Sequence, residues 1–478
     1  MTFEEIRDRF AADGIHRVKL GAFDMDGVLR GKHVSLEKFQ SAAGSGAPTG
    51  APHSALGRIG SPSLKPINGE TAVDSGGMGF SDVIFGWDIG DVLLDNVKLT
   101  GWHTGYPDAV ARIDLDTYRA IPWEPGTALF LLDLYDKGGR PMEVAPRSLL
   151  RRVIAKAESL WFRASFAAEY EFWFFRETAH SLREKGFHNL TPLSPGMFGY
   201  SVVRASANAG LVTDLIDKLK EFRIPLEGLH TETGPGVYEA AITVDDAMAA
   251  ADKAALFKTA VKELGARHGL TPTFMAKWSA DLPGSSGHLH QSLWDREHQH
   301  NLFHAEEGLS AVMKHYIAGL VEFLPELMPM FCPTINSYKR TVPGTWAPIN
   351  STWGLDNRTT AVRAIPGGAK STRVEMRLTG ADINPYLAMA ASLAAGIEGI
   401  ERQIELPPAT INAYQAAQAP ALARNLADAT RRFQQSDMAR RWFGDEFVDH
   451  YAATRDWEVR QFEKAVTDWE LARYFESI

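Results

Sequence analysis

The sequence predicts an α+β protein in two parts: strands and turns up to about residue 140, then helices alternating with short, polar-bearing strands. Three observations carry this reading. At 478 residues the chain exceeds one usual hydrophobic core. The stretch 15–32, IHRVKLGAFDMDGVLRGK, reads as a strand, a turn at Asp26-Gly27 and a second strand. From Pro146 onward, PRSLLRRVIAKAESLW sets apolar residues at helical spacing, with a proline suited to a first turn.

Taken in order, 41–80 is rich in Gly, Ser and Pro and reads as loops, while 82–99 and 127–135 read as strands, the latter ending in the turn Asp136-Lys137-Gly138-Gly139. DDAMAAADKAALFKTAVKELGARHG, EGLSAVMKHYIAGLVEFL and NPYLAMAASLAAGIEGIERQI read as amphipathic or buried helices. Domains are expected at 1–140 and 141–478, with no internal repeat. The longest apolar runs fall short of the roughly 20 residues that span a membrane, and MTFEEIRDRF is charged where a signal peptide is apolar. A single cysteine, Cys332, excludes an intramolecular disulfide and fits a reducing, cytoplasmic location. A net charge of −9 argues against a nucleic-acid footprint.

The chemistry is expected around charged residues in strand-like, apolar surroundings. Glu169 and Glu171 in AAEYEFWFF share one face of a strand, where two like charges repel unless a proton, a cationic partner or a metal intervenes. HTETGPGVYEAAI sets Glu232 and Glu239 on either side of a Gly-Pro-Gly turn, GSSGHLHQSLW carries His288 and His290 on one face, and STRVEMRL alternates Arg373, Glu375 and Arg377. Hard oxygen donors, imidazole and no thiolate suit a divalent cation that works on phosphates. Each segment alone also has a plain reading: a solvent-facing glutamate, a core histidine or a surface salt-bridge ladder. The His298/His300 pair and His304 read as surface loop.

Phe23-Asp24-Met25-Asp26-Gly27-Val28 resembles the first motif of haloacid dehalogenase-type phosphatases. No matching second acidic motif follows, so a β-turn between two strands is favoured.

FDMDGVLRGK, AEYEFWFF, HTETGPGVYE, GSSGHLHQSLW, INSYKRTVPG, NRTTAVRAI and RVEMRLTGADINPYLAMAA occur in an order that resembles the glutamine synthetase family over nearly the whole chain. The resemblance implies an N-terminal β-grasp domain, a catalytic domain of antiparallel sheet with surrounding helices, and a ring-shaped homo-oligomer, a dodecamer of two stacked hexameric rings with sites at subunit junctions. It implies ATP and two Mg²⁺ or Mn²⁺ ions per site, one held by Glu171, Glu232 and Glu239, the other by Glu169, His288 and Glu375. It places Arg340 and Gly284 at L-glutamate, Arg358 at the transferring phosphoryl, Arg363 and Arg373 at the nucleotide phosphates, Arg377 near the glutamate or acyl phosphate, and His290 either on the nucleotide side or behind the metal ligands.

Departures from the family pattern concern the amine. Where ammonia-using members carry a flap glutamate, this chain reads Pro343-Gly344-Thr345-Trp346-Ala347-Pro348. Tryptophan offers an apolar wall or a cation–π face but no carboxylate for ammonium. FGWDIG stands where the family has Phe-Asp-Gly-Ser-Ser, which makes Asp88 the candidate for deprotonating the acceptor, and Pro283 replaces an asparagine ahead of Gly284. No tyrosine precedes Glu405-Leu406-Pro407-Pro408, where some bacterial members are adenylylated. Trp87, Trp102, Tyr106 and Trp353 are further candidates for an apolar acceptor pocket. The expected activity is ATP-dependent γ-glutamylation of an organic amine. The alternatives are an ammonia-using glutamine synthetase and, against the retained ligands and arginines, a non-catalytic structural relative.

Overall fold

A computed structural model describes residues 1–44, 77–416 and 418–478. Most of the glycine-rich stretch expected as loops at 41–80 lies outside the described residues. Its described margins are the end of a helix, Leu36–Gly44, and a short strand. Two compact units interleave along the chain, Met1–Ala22, Arg30–Asp82 and Tyr106–Met142 in the first, Phe23–Leu29, Val83–Gly105 and Glu143–Ile478 in the second.

The first unit holds a five-stranded sheet of β1 (Arg17–Phe23), β2 (Leu29–Val34), β3 (Met78–Ser81), β4 (Asp108–Ala120) and β5 (Thr127–Tyr135), in the order β2-β1-β5-β4-β3. β1 and β5 run parallel, and β4 is antiparallel to both β5 and β3. A helix, Phe3–Ala12, starts at a capping box between Thr2 and Glu5. It sends Phe10 against Phe39, which meets Phe130 of β5 at 4.9 Å between ring centroids. The strand expected at 82–99 does not form. Residues Asp82–Phe85 are a 3₁₀ turn, and the Asp88 carboxylate accepts N–H bonds from Gly90 (2.8 Å) and Val92 (2.9 Å), which folds the backbone on itself. The phosphatase-like motif is a turn: Gly27 is left-handed (φ 75°), and the Asp24 side chain accepts from the amides of Asp26 and Val28.

In the second unit the strands are β6 (Arg163–Phe175), β7 (Leu226–Thr231), β8 (Val237–Ile242), β9 (Asp245–Asp246), β10 (Thr271–Thr273), β11 (Leu289–Trp294), β12 (Trp353–Leu355), β13 (Val362–Ile365) and β14 (Arg373–Met376). They form one sheet, β12-β13-β14-β11-β6-β8-β7, with β9 and β10 added to β6. Only β12 and β13 pair in parallel. Along β6 the even-numbered Tyr170, Phe172 and Phe174 are fully buried, Tyr170 and Phe172 against Phe257 and Phe274 and Phe174 against Tyr238, with Phe172 and Phe274 stacked at 5.2 Å. Each such ring contributes about 1.5–3 kcal/mol. That burial fixes the strand's orientation and leaves the odd-numbered glutamates on the opposite face.

Helices Pro146–Ser159, Ala247–Arg267 and Pro385–Glu401 form where the apolar spacing predicts them. The helix Ala311–Phe331 runs past the stretch read from sequence and through Pro325 and Pro329, with Leu327, Met328, Met330 and Phe331 buried to offset the lost amides.

One buried histidine makes the second unit sensitive to acid. His450, on the helix Asp445–Lys464, is 4% exposed. Burial, only partly offset by a hydrogen bond with the Phe85 backbone and reinforced by Arg455, pushes its pKa from 6.5 to about 4. The unfolded chain therefore binds the proton first, so this stability is full above about pH 6.5 and is lost as pH falls toward 4. At 1.36 kcal/mol per pKa unit the loss is about 3 kcal/mol. His450→Phe is expected to reduce the drop in unfolding free energy between about pH 7 and pH 4 by that amount in denaturant titrations. An unchanged drop would contradict the account.

Candidate active site

The strand ladder aligns the charged side chains in two rows. In the first, Glu171 of β6 lies opposite Glu239 of β8, and Glu239 opposite His230 of β7. In the second, His290 of β11 lies opposite Glu375 of β14, and Glu375 opposite Arg363 of β13. Residues paired across strands share a face. The rows are joined through β6, where Glu169 N–H donates to His288 O (2.9 Å) and Glu171 N–H to Ser286 O (3.0 Å).

Glu169 is the meeting point of two imidazoles: its Oε2 lies 3.6 Å from His288 Nδ1 and 3.2 Å from His290 Nε2. His288 Nδ1 is also 3.4 Å from Glu375 Oε1. Glu375, 1% exposed, is clamped by Arg363 (2.9 Å) and by a close contact from Arg377. Burial opposes its ionisation, but His288, Arg377, His290 and Arg363 outweigh that and bring its pKa to about 2. Glu169 is likewise held well below the ordinary carboxylate range despite its burial, by contact with the two histidines. Burial, with Arg377 beside it, lowers His288, so its ring is neutral near pH 7.

The first row has the opposite character. Burial and then Glu171, Glu169, Glu232 and Glu375 push Glu239 up to about 9. Glu171 is steadied by the Ser286 amide, which donates to its Oε2 at 2.7 Å. Excess negative charge in a half-buried place calls for a cation.

These residues fit divalent ions. Ligand atoms of Glu169, His290 and Glu375, and of His230, Glu232 and Glu239, lie within 4.8 Å of one another in each group. Neighbouring ligands of an octahedral ion bound at about 2.1 Å stand roughly 3 Å apart, so small movements would close either group on Mg²⁺ or Mn²⁺. His290 Nδ1 accepts from Arg373 Nε at 3.1 Å, which leaves Nε2, 3.2 Å from Glu169 Oε2, as the proton-bearing atom. A protonated nitrogen donates rather than ligates. His288 presents its Nδ1 to both glutamates.

The other expected residues are placed as follows. Arg340, 5% exposed, donates to the carbonyls of Leu378 and Thr379, which anchors it one strand-end from Glu375. Gly284 makes room for it: a Cβ there would stand 2.6 Å from both Ala276 O and Arg340 Cγ. Arg377 Nε donates to the carbonyl of Arg358 (3.1 Å), whose own exposed guanidinium acts electrostatically on Tyr200 and Asp356. Arg363 is shared between Glu375 and Asp356. Trp346 is 67% exposed with left-handed backbone (φ 61°). Asp88 contacts none of this cluster; its carboxylate is taken by its own loop and by Trp457 Nε1 at 2.9 Å. Trp353, expected as a pocket candidate, is 6% exposed and donates to Pro407 O, which makes it packing.

His230, Tyr200 and Asp356 were missed. His230 alternates with Glu232 in HTETGPG, a signal that the motif contains, whereas Tyr200 is distant in sequence and stacks on the His230 ring at 4.2 Å. A cavity of about 520 Å³ opens beside Glu169, His290 and Arg373. His298, read as surface loop, lines it, half-buried against Trp294. Gly234 holds the turn between β7 and β8 for a steric reason, since a Cβ would stand 2.2 Å from the buried Trp173 ring.

The glutamine synthetase catalytic domain matches residues 143–474. The chain belongs to the glutamine synthetase family. It is 45% identical to "Type-1 glutamine synthetase 2" of Dictyostelium discoideum over 96% of this chain and 84% of that protein. It is 39% identical to "Glutamate--isopropylamine ligase" of a Pseudomonas species, over 99% and 98% of the two chains. Among solved structures, a complex of GmaS with ADP superposes with a TM-score of 0.79 at 26% identity, covering 98% of each chain. The fold is thus the mixed α/β fold of the glutamine synthetase family, and the protein is a ligase of that family.

Proposed function

We propose that the protein joins L-glutamate to an organic amine at the expense of ATP, through γ-glutamyl phosphate. The observation that carries the choice of acceptor is Trp346, an exposed aromatic in the flap where a carboxylate would favour ammonium. A relative named for isopropylamine, matched over nearly its whole length, supports it.

In this reading Glu171, Glu232 and Glu239 hold one Mg²⁺ or Mn²⁺, and Glu169, His288 and Glu375 the other. When bound, the two ions neutralise the approach of a carboxylate to a triphosphate. Arg340, Gly284 and Arg377 seat L-glutamate so that its γ-carboxylate oxygen attacks the γ-phosphorus of ATP and ADP leaves. Arg358 steadies the phosphoryl group in transit, while Arg363 and Arg373 face the nucleotide phosphates and His290, held by Glu169 and Arg373, lies on the nucleotide side. The cavity beside them is of a size for a nucleoside. The amine nitrogen then attacks the acyl carbon, the acyl carbon–oxygen bond breaks with its electron pair leaving on phosphate, and the nitrogen gives up a proton. Asp88 is proposed to accept that proton in a neighbouring subunit's site, its own contacts being remote from the cluster of its chain. Trp346 walls the acceptor position. The wider assignment is a cytoplasmic homo-oligomer of two stacked hexameric rings, with the first-unit sheet as a β-grasp domain.

Phosphate release with L-glutamate, ATP and Mg²⁺ against a panel of alkylamines, polyamines, ethanolamine, anilines and ammonia tests this. Turnover with one organic amine well above that with ammonia is expected. Robust turnover with ammonia alone would favour the second reading, a glutamine synthetase with a substituted flap, for which the Dictyostelium relative speaks.

A further inference from the structure

Residues 378–383, between β14 and the helix Pro385–Glu401, hold Arg340 at both of its ends. At the far end the guanidinium donates to the carbonyls of Leu378 and Thr379. At the near end the hold is indirect. Arg340 closes the 3₁₀ turn Asn336–Lys339, its N–H on Ser337 O at 3.2 Å. That turn is entered through a reciprocal pair: Ser337 Oγ accepts the Thr334 amide at 3.0 Å, and Thr334 Oγ1 accepts the Ser337 amide at 3.1 Å. A hydroxyl has one proton to give and accepts through its lone pairs. Asp382 takes both protons, its Oδ2 lying 2.6 Å from Ser337 Oγ and 2.8 Å from Thr334 Oγ1. Each hydroxyl then turns its lone pairs to the amides that shape the turn. Without the carboxylate one hydroxyl would donate to the other, 3.0 Å away, and the second proton would have no acceptor.

Asp382 is itself held on both sides. Ala381 N–H donates to Ser285 O at 3.1 Å, next to Gly284, and Ile383 O accepts from Lys258 Nζ at 2.8 Å. Gly380 cedes the space for the other carboxylate oxygen, since a Cβ there would stand 2.4 Å from Asp382 Oδ1. Asp382 belongs to neither carboxylate–imidazole group. We infer that Asp382 is a positioning residue for L-glutamate: by orienting Thr334 and Ser337 it sets the turn from which Arg340 is presented. This rests on the reading that seats L-glutamate at Arg340.

The test is the KM for L-glutamate and for ATP, from phosphate release with Mg²⁺ and the amine of the panel that turns over fastest. Asp382→Ala is expected to raise the KM for L-glutamate about tenfold or more, the effect of a misplaced binding group, and to leave the KM for ATP within about twofold. A merely structural role would move both. Asp382→Asn keeps an oxygen for both hydroxyls and is expected to stay within about twofold of the parent on both substrates. Should Asp382→Ala fail to fold, Ser337→Ala deletes one of the two hydroxyls and is expected to show the same split at about fivefold. Equal rises in the two KM values, no rise in that for L-glutamate, or failure of asparagine to restore it would overturn the proposal. Arg340→Lys, measured alongside, separates it from the reading beneath. A KM for L-glutamate unmoved by that change, or no turnover with any amine, overturns both, whereas a raised one with silent Asp382 variants overturns this inference alone.

Discussion

Replacing Glu171 by glutamine is expected to lower glutamate-dependent phosphate release by about three orders of magnitude without lowering the melting temperature. The loss follows from several kcal/mol of charge stabilisation withdrawn from phosphoryl transfer. The retained stability follows from the environment. The amide oxygen of glutamine still accepts the Ser286 N–H, now 2.7 Å from a carboxylate oxygen. The change also removes a charge facing Glu239, on which Glu171 acts as the strongest carboxylate neighbour. In EDTA the variant is therefore expected to melt no lower than the parent. Alanine would be a poorer test, because it orphans the Ser286 amide and mixes a folding defect with a chemical one. Activity within tenfold of the parent would show that Glu171 is not a ligand.

The second large effect concerns the acceptor. Trp346→Glu is expected to shift the ratio of kcat/KM for ammonia over the preferred organic amine by about a hundredfold toward ammonia, the scale on which pocket contacts discriminate small groups. The substitution is conformationally fair. Trp346 already occupies left-handed backbone at φ 61°, and glutamate, also unbranched at Cβ, pays a similar cost there. The flap is tied through groups the change does not touch, Thr345 Oγ1 on Val342 O (2.7 Å) and Tyr414 OH on Ala347 O (3.2 Å). An unaltered ratio, with both rates merely reduced, would mean that the flap closes the site without choosing its amine.

Much of the site was legible because alternation along a strand is a local property. Glu169 and Glu171, His288 and His290, and Arg373, Glu375 and Arg377 each announce a shared face within a few residues. What alternation does not give is register, and register put His230 beside Glu239 and Arg363 beside Glu375. Tyr200 was invisible because its left-handed backbone and its stacking on His230 depend on a contact made across the fold. The strand expected at 82–99 failed for a chemical reason: a side-chain carboxylate, that of Asp88, captured amides that a sheet would have needed. The helix through Pro325 and Pro329 shows the reverse, with burial overriding a local breaker.

β6 hydrogen-bonds to β8, β9, β10 and β11 and carries Glu169 and Glu171 between rings buried on its other side. A single-residue insertion upstream in that strand would send both glutamates into the aromatic layer together. No small step in sequence separates the two halves of the proposed chemistry, activation of glutamate and handling of the nucleotide. Trp346 sits outside this ladder, on a loop. If the proposed roles hold, descendants of this chain are free to change their acceptor while inheriting the phosphoryl-transfer apparatus whole or not at all.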